Sequence, residues 1–200
     1  MASVTFFSTD HRGKADTMTT TETTTTGTTT TGERADLLET LANQRHFLRL
    51  TVDGLTDEQA GQRTTASELC LGGLIKHVAE VESNWVDFIL GGPDAMAHGA
   101  EEWNAEWVAE DWLAQFRMLP GETLAAALER YEEVARRTDE VVATLPDLDV
   151  SHPLPEAPWF EPGARWSARR VLLHIIAETA QHAGHADIIR ESLDGAKSMG

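Results

Sequence analysis

Residues 167–193 read SARRVLLHIIAETAQHAGHADIIRESL, and this stretch decides the fold class. Its apolar residues recur at spacings of three and four, which is the period of an amphipathic helix. They include Val171, Leu172, Ile175, Ile188 and Ile189. Ser167 is a suitable N-cap, with Trp166 directly before it. The stretch therefore predicts one long helix that runs from Ser167 to about Leu193.

Three other segments show the same helical period. They lie at 35–54, 69–90 and 123–145, and glycine or proline residues mark the ends of each. No segment shows a convincing period-two alternation, which is the pattern of a half-buried strand. Four long amphipathic segments without strands predict an all-α, up-down four-helix bundle.

Two long connections separate these segments. Residues 91–120 contain Trp103, Trp107 and Trp112, whose spacing of four and five favours core or dimer contacts over a platform for ligands. Residues 146–166 contain five prolines and are expected to form an irregular crossover.

The N-terminal residues 1–33 differ in composition from the rest of the chain. Residues 17–31 are almost all threonine and have no apolar period, so they cannot bury enough surface to offset the entropy of ordering them. We therefore predict a disordered tail at 1–33 and a single domain at 34–195. A start codon at Met18 in place of Met1 is an alternative interpretation of this tail.

Composition excludes several classes of function. The net charge is −17, and the acidic residues are spread throughout the bundle, which argues against nucleic acid or an anionic membrane as partner. No stretch approaches the ~18 uninterrupted apolar residues of a membrane span, and the first residues lack the apolar core of a secretory signal. We expect a cytoplasmic protein. Cys70 is the only cysteine, so a transition metal would have to be held by histidines and carboxylates.

The fourth segment places ionisable residues along one side of its helix. His174, Glu178, His182 and His185 are separated by four, four and three residues. Ionisable side chains that face an apolar bundle are costly unless something pairs with them. Because Glu178 and His182 are four residues apart, both can reach one small divalent ion, and their oxygen and nitrogen atoms are normal ligands for it.

The third ligand must come from another helix, and His77 is the best candidate because it lies between Leu74 and Val78 on the apolar face of the second segment. Two histidines and one glutamate leave coordination positions open, which is typical of a reactive metal site. Two simpler interpretations stay open at this point: Glu178 and His182 form only a helical ion pair, and His77 is a hydrogen-bonded core histidine.

Two pieces of the sequence, LGGLIKHVAEVE at 71–82 and ETAQHAGHADIIRE at 178–191, resemble the metal-binding segments of the DinB-like superfamily. More narrowly, they are similar to actinobacterial domains near mycothiol-dependent maleylpyruvate isomerase, over residues ~34–195. The resemblance implies the ligand set His77, Glu178 and His182, in the variant whose helical pair starts with glutamate. His174 and His185 lie outside that set, and they are interpreted as hydrogen-bonding supports of the ligands, a proton shuttle or an alternative ligand.

The resemblance implies a metal-dependent transferase or isomerase with zinc or nickel, and with mycothiol as the thiol cosubstrate. An alternative is a metal-dependent hydrolase in which His185 or His174 is the catalytic general base. A third is a non-enzymatic protein that binds a metal or a small molecule in a stress response. For all three we expect a small-molecule ligand, and an apolar stripe left exposed would favour a homodimer.

Overall fold

The computed structural model describes residues 31–96 and 113–198, and these form a bundle of four long helices. The predicted disordered tail lies outside the described residues, except for its last three positions, and so do Trp103, Trp107 and Trp112. The elements are α1 (Glu33–Leu50), α2 (Asp57–Ala60), α3 (Leu71–Gly91), a 3-10 turn (Pro93–Ala95), α4 (Leu124–Thr144), β1 (Ser151–Pro153), β2 (Arg165–Ser167) and α5 (Ala168–Asp194). The predicted all-α bundle is confirmed.

Side-chain oxygens cap three helices as their sequences indicate. Thr56 and Gln59 form a reciprocal capping box at α2. Thr123 accepts a hydrogen bond from the backbone N–H of Ala126 at the start of α4, and Ser167 accepts one from Arg170 at the start of α5. The predicted N-cap at Ser167 is therefore confirmed. These caps satisfy backbone donors that have no partner inside the helix.

Long-range ion pairs give the direction of each helix. Arg169 pairs with Glu33 near the starts of α5 and α1, and Arg190 donates to the carbonyl of Thr51 near their ends, so the two helices run parallel. Helices α3 and α4 are also parallel to each other, while α3 runs antiparallel to α5. The four helices therefore run up, down, down and up, which differs from the simple up-down alternation that the sequence predicted. Because α3 and α4 point the same way, the end of α3 and the start of α4 lie at opposite ends of the bundle, which accounts for the length of the 91–123 connection.

A short β-hairpin interrupts the second connection, which we had expected to be wholly irregular. β1 pairs antiparallel with β2, and Ser151 lies opposite Ser167. Strands of three residues are too short to show a period in the sequence. Pro153 also argues against a strand at the first of them, because proline is uncommon inside strands. The ladder places Trp166 and the cap residue Ser167 directly before α5.

Two apolar clusters fill the bundle, one toward each end. The first includes Leu74, Ile75, Val78, Phe116, Tyr131, Ala183 and Ile189. The second includes Leu41, Trp85, Phe88, Val171, Leu172 and Ile175. Among the described residues, no helix is both long and apolar enough to cross a membrane.

The backbone of Phe116 lies directly against Gly73 in α3. A methyl group added at Gly73 would come within 1.9 Å of the Phe116 carbonyl oxygen and 2.6 Å of the Arg117 nitrogen. Both atoms belong to the backbone, so neither can move aside cheaply. Only glycine at this position allows the segment after residue 112 to pack against α3.

Gly73→Ala is therefore expected to destabilise the protein by about 1–3 kcal/mol, the usual cost of overpacking a core. Urea unfolding measures the change. Gly184→Ala is the matched control, because its added methyl group would meet no atom within 4 Å. That variant should gain roughly 0.5–1 kcal/mol from helix propensity. Equal effects at the two glycines would contradict the close approach described here.

Candidate metal centre

The three residues predicted to bind a metal converge at the contact between α3 and α5. One donor atom from each of His77, Glu178 and His182 lies within 4.8 Å of the other two. Nε2 of His77 is 3.4 Å from Oε1 of Glu178, and Nε2 of His182 is 3.2 Å from the same oxygen. His77 and His182 are buried, and Glu178 is partly exposed. Residues 101 positions apart in sequence therefore meet in one small volume.

The helices account for this convergence. Glu178 and His182 are one turn apart on α5, so their side chains project from the same face. His77 lies among the buried residues of α3, which runs antiparallel to α5 and packs against it. The ring of Phe116 covers His77, with the two ring centroids 4.3 Å apart. An apolar wall on this side keeps water from the imidazole.

The negative charge of Glu178 suits a residue that binds a cation. Hydrogen bonds from His182 and then from His77 hold the pKa of Glu178 well below its ordinary value, although partial burial acts in the opposite direction. The residue is therefore a carboxylate at neutral pH. It brings one negative charge to a pair of imidazoles, which is a common ligand set for divalent transition metals.

The outer nitrogen of each imidazole is also occupied. Nδ1 of His77 lies 3.2 Å from Oε1 of Gln115, and Nδ1 of His182 lies 3.4 Å from Nδ1 of His185. An amide oxygen only accepts hydrogen bonds, so Nδ1 of His77 donates to Gln115. A cation would take the place of the Nε2 proton that bonds to Glu178, and Nε2 would then offer its lone pair. The donor set therefore fits a divalent cation, because the bond to Gln115 already supplies the ring orientation that a ligand needs.

The two other predicted histidines occupy different surroundings. His185 contacts the back of His182, which fits a residue that supports a ligand. His174 lies one turn before Glu178, and its ring packs edge-on against Trp85 and Trp166 at centroid distances of 5.0 and 5.2 Å. A catalytic role for His185 or His174 stays a prediction.

Sequence reasoning did not identify Gln115 or Phe116 as parts of this site. Both lie in the 91–120 connection, where no period indicates which residues turn inward. The glycine at 73 was a usable signal, since an interior glycine in a helix often marks a close backbone approach. It could have indicated that some segment crosses α3 near His77, but not which one.

His174 should make the stability of the protein sensitive to pH. Burial lowers the pKa of His174 below its ordinary value, and the attraction of Glu178 offsets this only in part. The unfolded chain then binds more protons than the folded one below about pH 6.5, so stability falls as the pH drops through that value.

We expect His174→Phe, which keeps an aromatic ring against Trp85 and Trp166, to lose less stability between about pH 7.5 and 5.5 than the wild type. Urea midpoints measured with a chelator present at both pH values make the comparison, because residues other than 174 titrate alike in both proteins. An identical loss in the two proteins would contradict the shifted pKa.

Comparisons with known proteins identify the family and the fold of the chain. The family model of the mycothiol S-transferases matches residues 36–195. No curated protein matches the chain. A crystal structure of a conserved Enterococcus faecalis protein superposes with a TM-score of 0.63 at 13% identity, covering 84% of this chain and 100% of that one. A Streptococcus pneumoniae protein gives 0.55 at 12% identity, with coverages of 82% and 90%.

Identities this low establish a shared fold and nothing more specific. The family model reaches further, because it spans the whole bundle and includes His77, Glu178 and His182 in its matched range. The resemblance first noted at residues 71–82 and 178–191 is therefore confirmed. The chain belongs to the mycothiol S-transferase family, which is a DinB-like family.

Proposed function

We propose that this protein is a metal-dependent S-transferase that joins a low-molecular-weight thiol of the mycothiol type to an electrophilic small molecule. His77, Glu178 and His182 would hold the divalent cation, zinc or nickel. The observation that carries the proposal is the convergence of these three donor atoms within 4.8 Å, in a chain matched by the mycothiol S-transferase family model.

The donor set suits thiol chemistry for an electrostatic reason. A divalent cation with an open coordination position lowers the pKa of a bound thiol, so that the nucleophilic thiolate exists near neutral pH. In the proposed reaction the thiol loses its proton to solvent water and its sulfur forms a bond to the electrophilic carbon. The leaving group departs with the electron pair of the bond that breaks.

The protein's own residues would prepare this reaction by position and charge. Glu178 contributes a carboxylate rather than a neutral acid, and His77 presents Nε2 because its other nitrogen is bonded to Gln115. Cys70 does not compete as a nucleophile, since it is buried and its Sγ contacts the carbonyl of Phe116 at 3.4 Å. The thiol must therefore come from outside the chain.

A cavity bordered by His77, one of the three candidate ligands, offers room for an organic molecule. It has a volume of about 460 Å³ and is bordered by α3, α4 and the segment around Gln115 and Glu122. His77 and Gln115 form part of its wall, together with the buried side chains of Ala79 and Ala127. Small-molecule sites usually have this size and a largely apolar wall. A larger groove of about 1160 Å³ between α1 and α4 contains none of the three candidate ligands.

The direct test is an assay for thiol conjugation. Protein loaded with zinc or nickel is incubated with mycothiol and monobromobimane or 1-chloro-2,4-dinitrobenzene, and the thioether product is measured by mass spectrometry. We expect product formation that requires the metal and stops when a chelator removes it. No conjugation by fully loaded protein across a broad panel of electrophiles would refute the proposal, and metal-dependent turnover of an ester without thiol would favour the hydrolase instead.

The hydrogen bond between Gln115 and His77 leads to a prediction about zinc affinity, which can be measured without a catalytic assay. Gln115→Ala should weaken the binding of zinc by roughly 10-fold or more, because Nδ1 of His77 loses its acceptor and the ring loses its fixed tautomer. Gln115→Glu keeps an acceptor in place and should bind zinc about as tightly as the wild type. Competition with a chromophoric chelator measures both affinities. Affinities within about twofold for the alanine variant would show that Gln115 does not position His77.

A further inference from the structure

The outward side of α5 carries an exposed apolar row that the bundle does not use. Leu173 is 48% exposed and Ile188 is 61% exposed. Ala177, Ala180 and Gly184 lie between them, and all three are exposed as well. Spacings of three and four place these five residues on one face of the helix. We refer to this row as the α5 outer face.

Within the described part of the chain, no close contact requires glycine at position 184. A methyl group added there would meet no atom within 4 Å, and the residue sits in the middle of a regular helix. Glycine costs roughly 0.5–1 kcal/mol relative to alanine in a helix interior. Its lack of a side chain creates a shallow point on the α5 outer face, next to Ala180.

Charges of opposite sign stand at the two ends of the same face. Arg170 precedes Leu173 by three residues, and Glu191 follows Ile188 by three, so both continue the row. Both are exposed. Among the described residues no carboxylate pairs with Arg170, whose guanidinium lies over the ring of Trp166 at 4.5 Å. Glu191 pairs with Lys197 at 2.9 Å, and both of these side chains are about half exposed.

The order of residues along the row is self-complementary. If a second copy of α5 runs antiparallel across the first, with a two-fold axis between residues 180 and 181, each residue meets a suitable partner. The facing pairs are Leu173 with Ile188, Ala177 with Gly184, Ala180 with Gln181, and Arg170 with Glu191. The apolar residues Leu173 and Ile188 meet, the small residues Ala177 and Gly184 meet about one turn from the axis, Gln181 lies over Ala180 at the axis, and each end forms one ion pair.

We propose that the α5 outer face is the interface of a homodimer in which two copies of this chain pack antiparallel through α5. A two-fold interface requires a patch that is complementary to itself, and this row meets that requirement in both shape and charge. The small side chains of Ala177, Ala180 and Gly184 let the helices approach within the roughly 8–10 Å that is usual for packed helices. The two Arg170–Glu191 pairs fix the antiparallel register.

One helix face buries less area than a typical stable interface, so we expect dissociation in the micromolar range. Sedimentation velocity on the full chain, from about 1 to 200 µM, should show a monomer that converts to a dimer. Arg170→Glu alone and Glu191→Arg alone should each remain monomeric, because each places two pairs of like charges across the interface.

Recombining these two variants tests the register itself. Arg170→Glu mixed with Glu191→Arg restores both attractive pairs in a heterodimer, and the double variant Arg170→Glu/Glu191→Arg restores them in a homodimer. We expect dimers in both cases, with circular dichroism confirming that every variant is folded. Charge reversals that leave the wild-type dimer intact, or a failure of both recombinations, would refute the proposed register.

An apolar pair of variants supplies a matched control. Ile188→Asp should abolish the dimer, whereas Leu90→Asp should leave it unchanged, because Leu90 is 53% exposed but belongs to α3 and not to the row on α5. A chain that stays monomeric at 200 µM, or a dimer lost in Leu90→Asp and kept in Ile188→Asp, would overturn the proposal.

Discussion

His182→Ala should lose both the bound cation and all thiol transfer while keeping its helical fold. His182 is buried, and its Nε2 lies 3.2 Å from Oε1 of Glu178, so the substitution removes one of three donor atoms and opens the centre to water. Loss of a residue that only supports a ligand typically costs 10–100-fold in metal affinity. Loss of a ligand should cost more, so we expect a drop of at least about 100-fold and turnover at the background rate.

The experiment needs a control for the removal of a histidine as such. His46→Ala provides it, since His46 is exposed on α1 and is not among the grouped donors. Metal content, thermal unfolding and conjugation rate are measured on both variants. Glu178→Gln should behave like His182→Ala, because the amide keeps the shape of the side chain but not its charge. Wild-type metal content and turnover in His182→Ala would exclude this residue as a ligand.

Arg45→Ala should destabilise the fold by about 3–5 kcal/mol, the usual cost of leaving one member of a buried ion pair without its partner. Arg45 donates from Nε to Glu82 at 3.2 Å, and the carboxylate of Glu82 is completely buried. Thr138 donates a further hydrogen bond to Glu82 at 2.5 Å. Burial opposes the charged form of Arg45, but the charge and hydrogen bonds of Glu82 and of Asp139 outweigh it, so the pKa of Arg45 is raised.

A double variant separates the cost of a lone charge from the value of the pair. Arg45→Met/Glu82→Leu removes both charges and keeps apolar volume, so its stability should fall by much less than that of Arg45→Ala. Urea unfolding with comparable m-values gives both free energies. If Arg45→Ala lost less than about 1 kcal/mol, the pair would not be buried as described.

The helices were predictable because their period is local information. The stripe around Ile175 and the cap at Ser167 identify α5 without knowledge of any other part of the chain. The directions of α3 and α4 were not predictable in this way, because they depend on which helices become neighbours. The hairpin was not predictable from the sequence because its strands are only three residues long.

The metal centre was partly predictable for the same reason. The spacing of Glu178 and His182 fixes their relative position within one helix. His77 could be identified as the third ligand only from its position on an apolar helix face and from the family resemblance. The buried ion pair of Arg45 and Glu82 was also partly predictable, because the position of Arg45 in the sequence indicates that it is buried. Arg45 lies four residues after Leu41 and three before Leu48, on the buried stripe of α1. The sequence shows that such a charge needs a partner, but not where the partner lies.

The central claim is that three side chains from α3 and α5 share one cation, and metal analysis tests it most directly. Protein purified without chelators is analysed for metals by mass spectrometry, beside His77→Ala prepared in the same way. We expect about one equivalent of zinc or nickel per chain in the wild type and almost none in the variant. Wild-type protein that neither carries a divalent metal nor takes one up, or a variant with the same metal content, would contradict the claim.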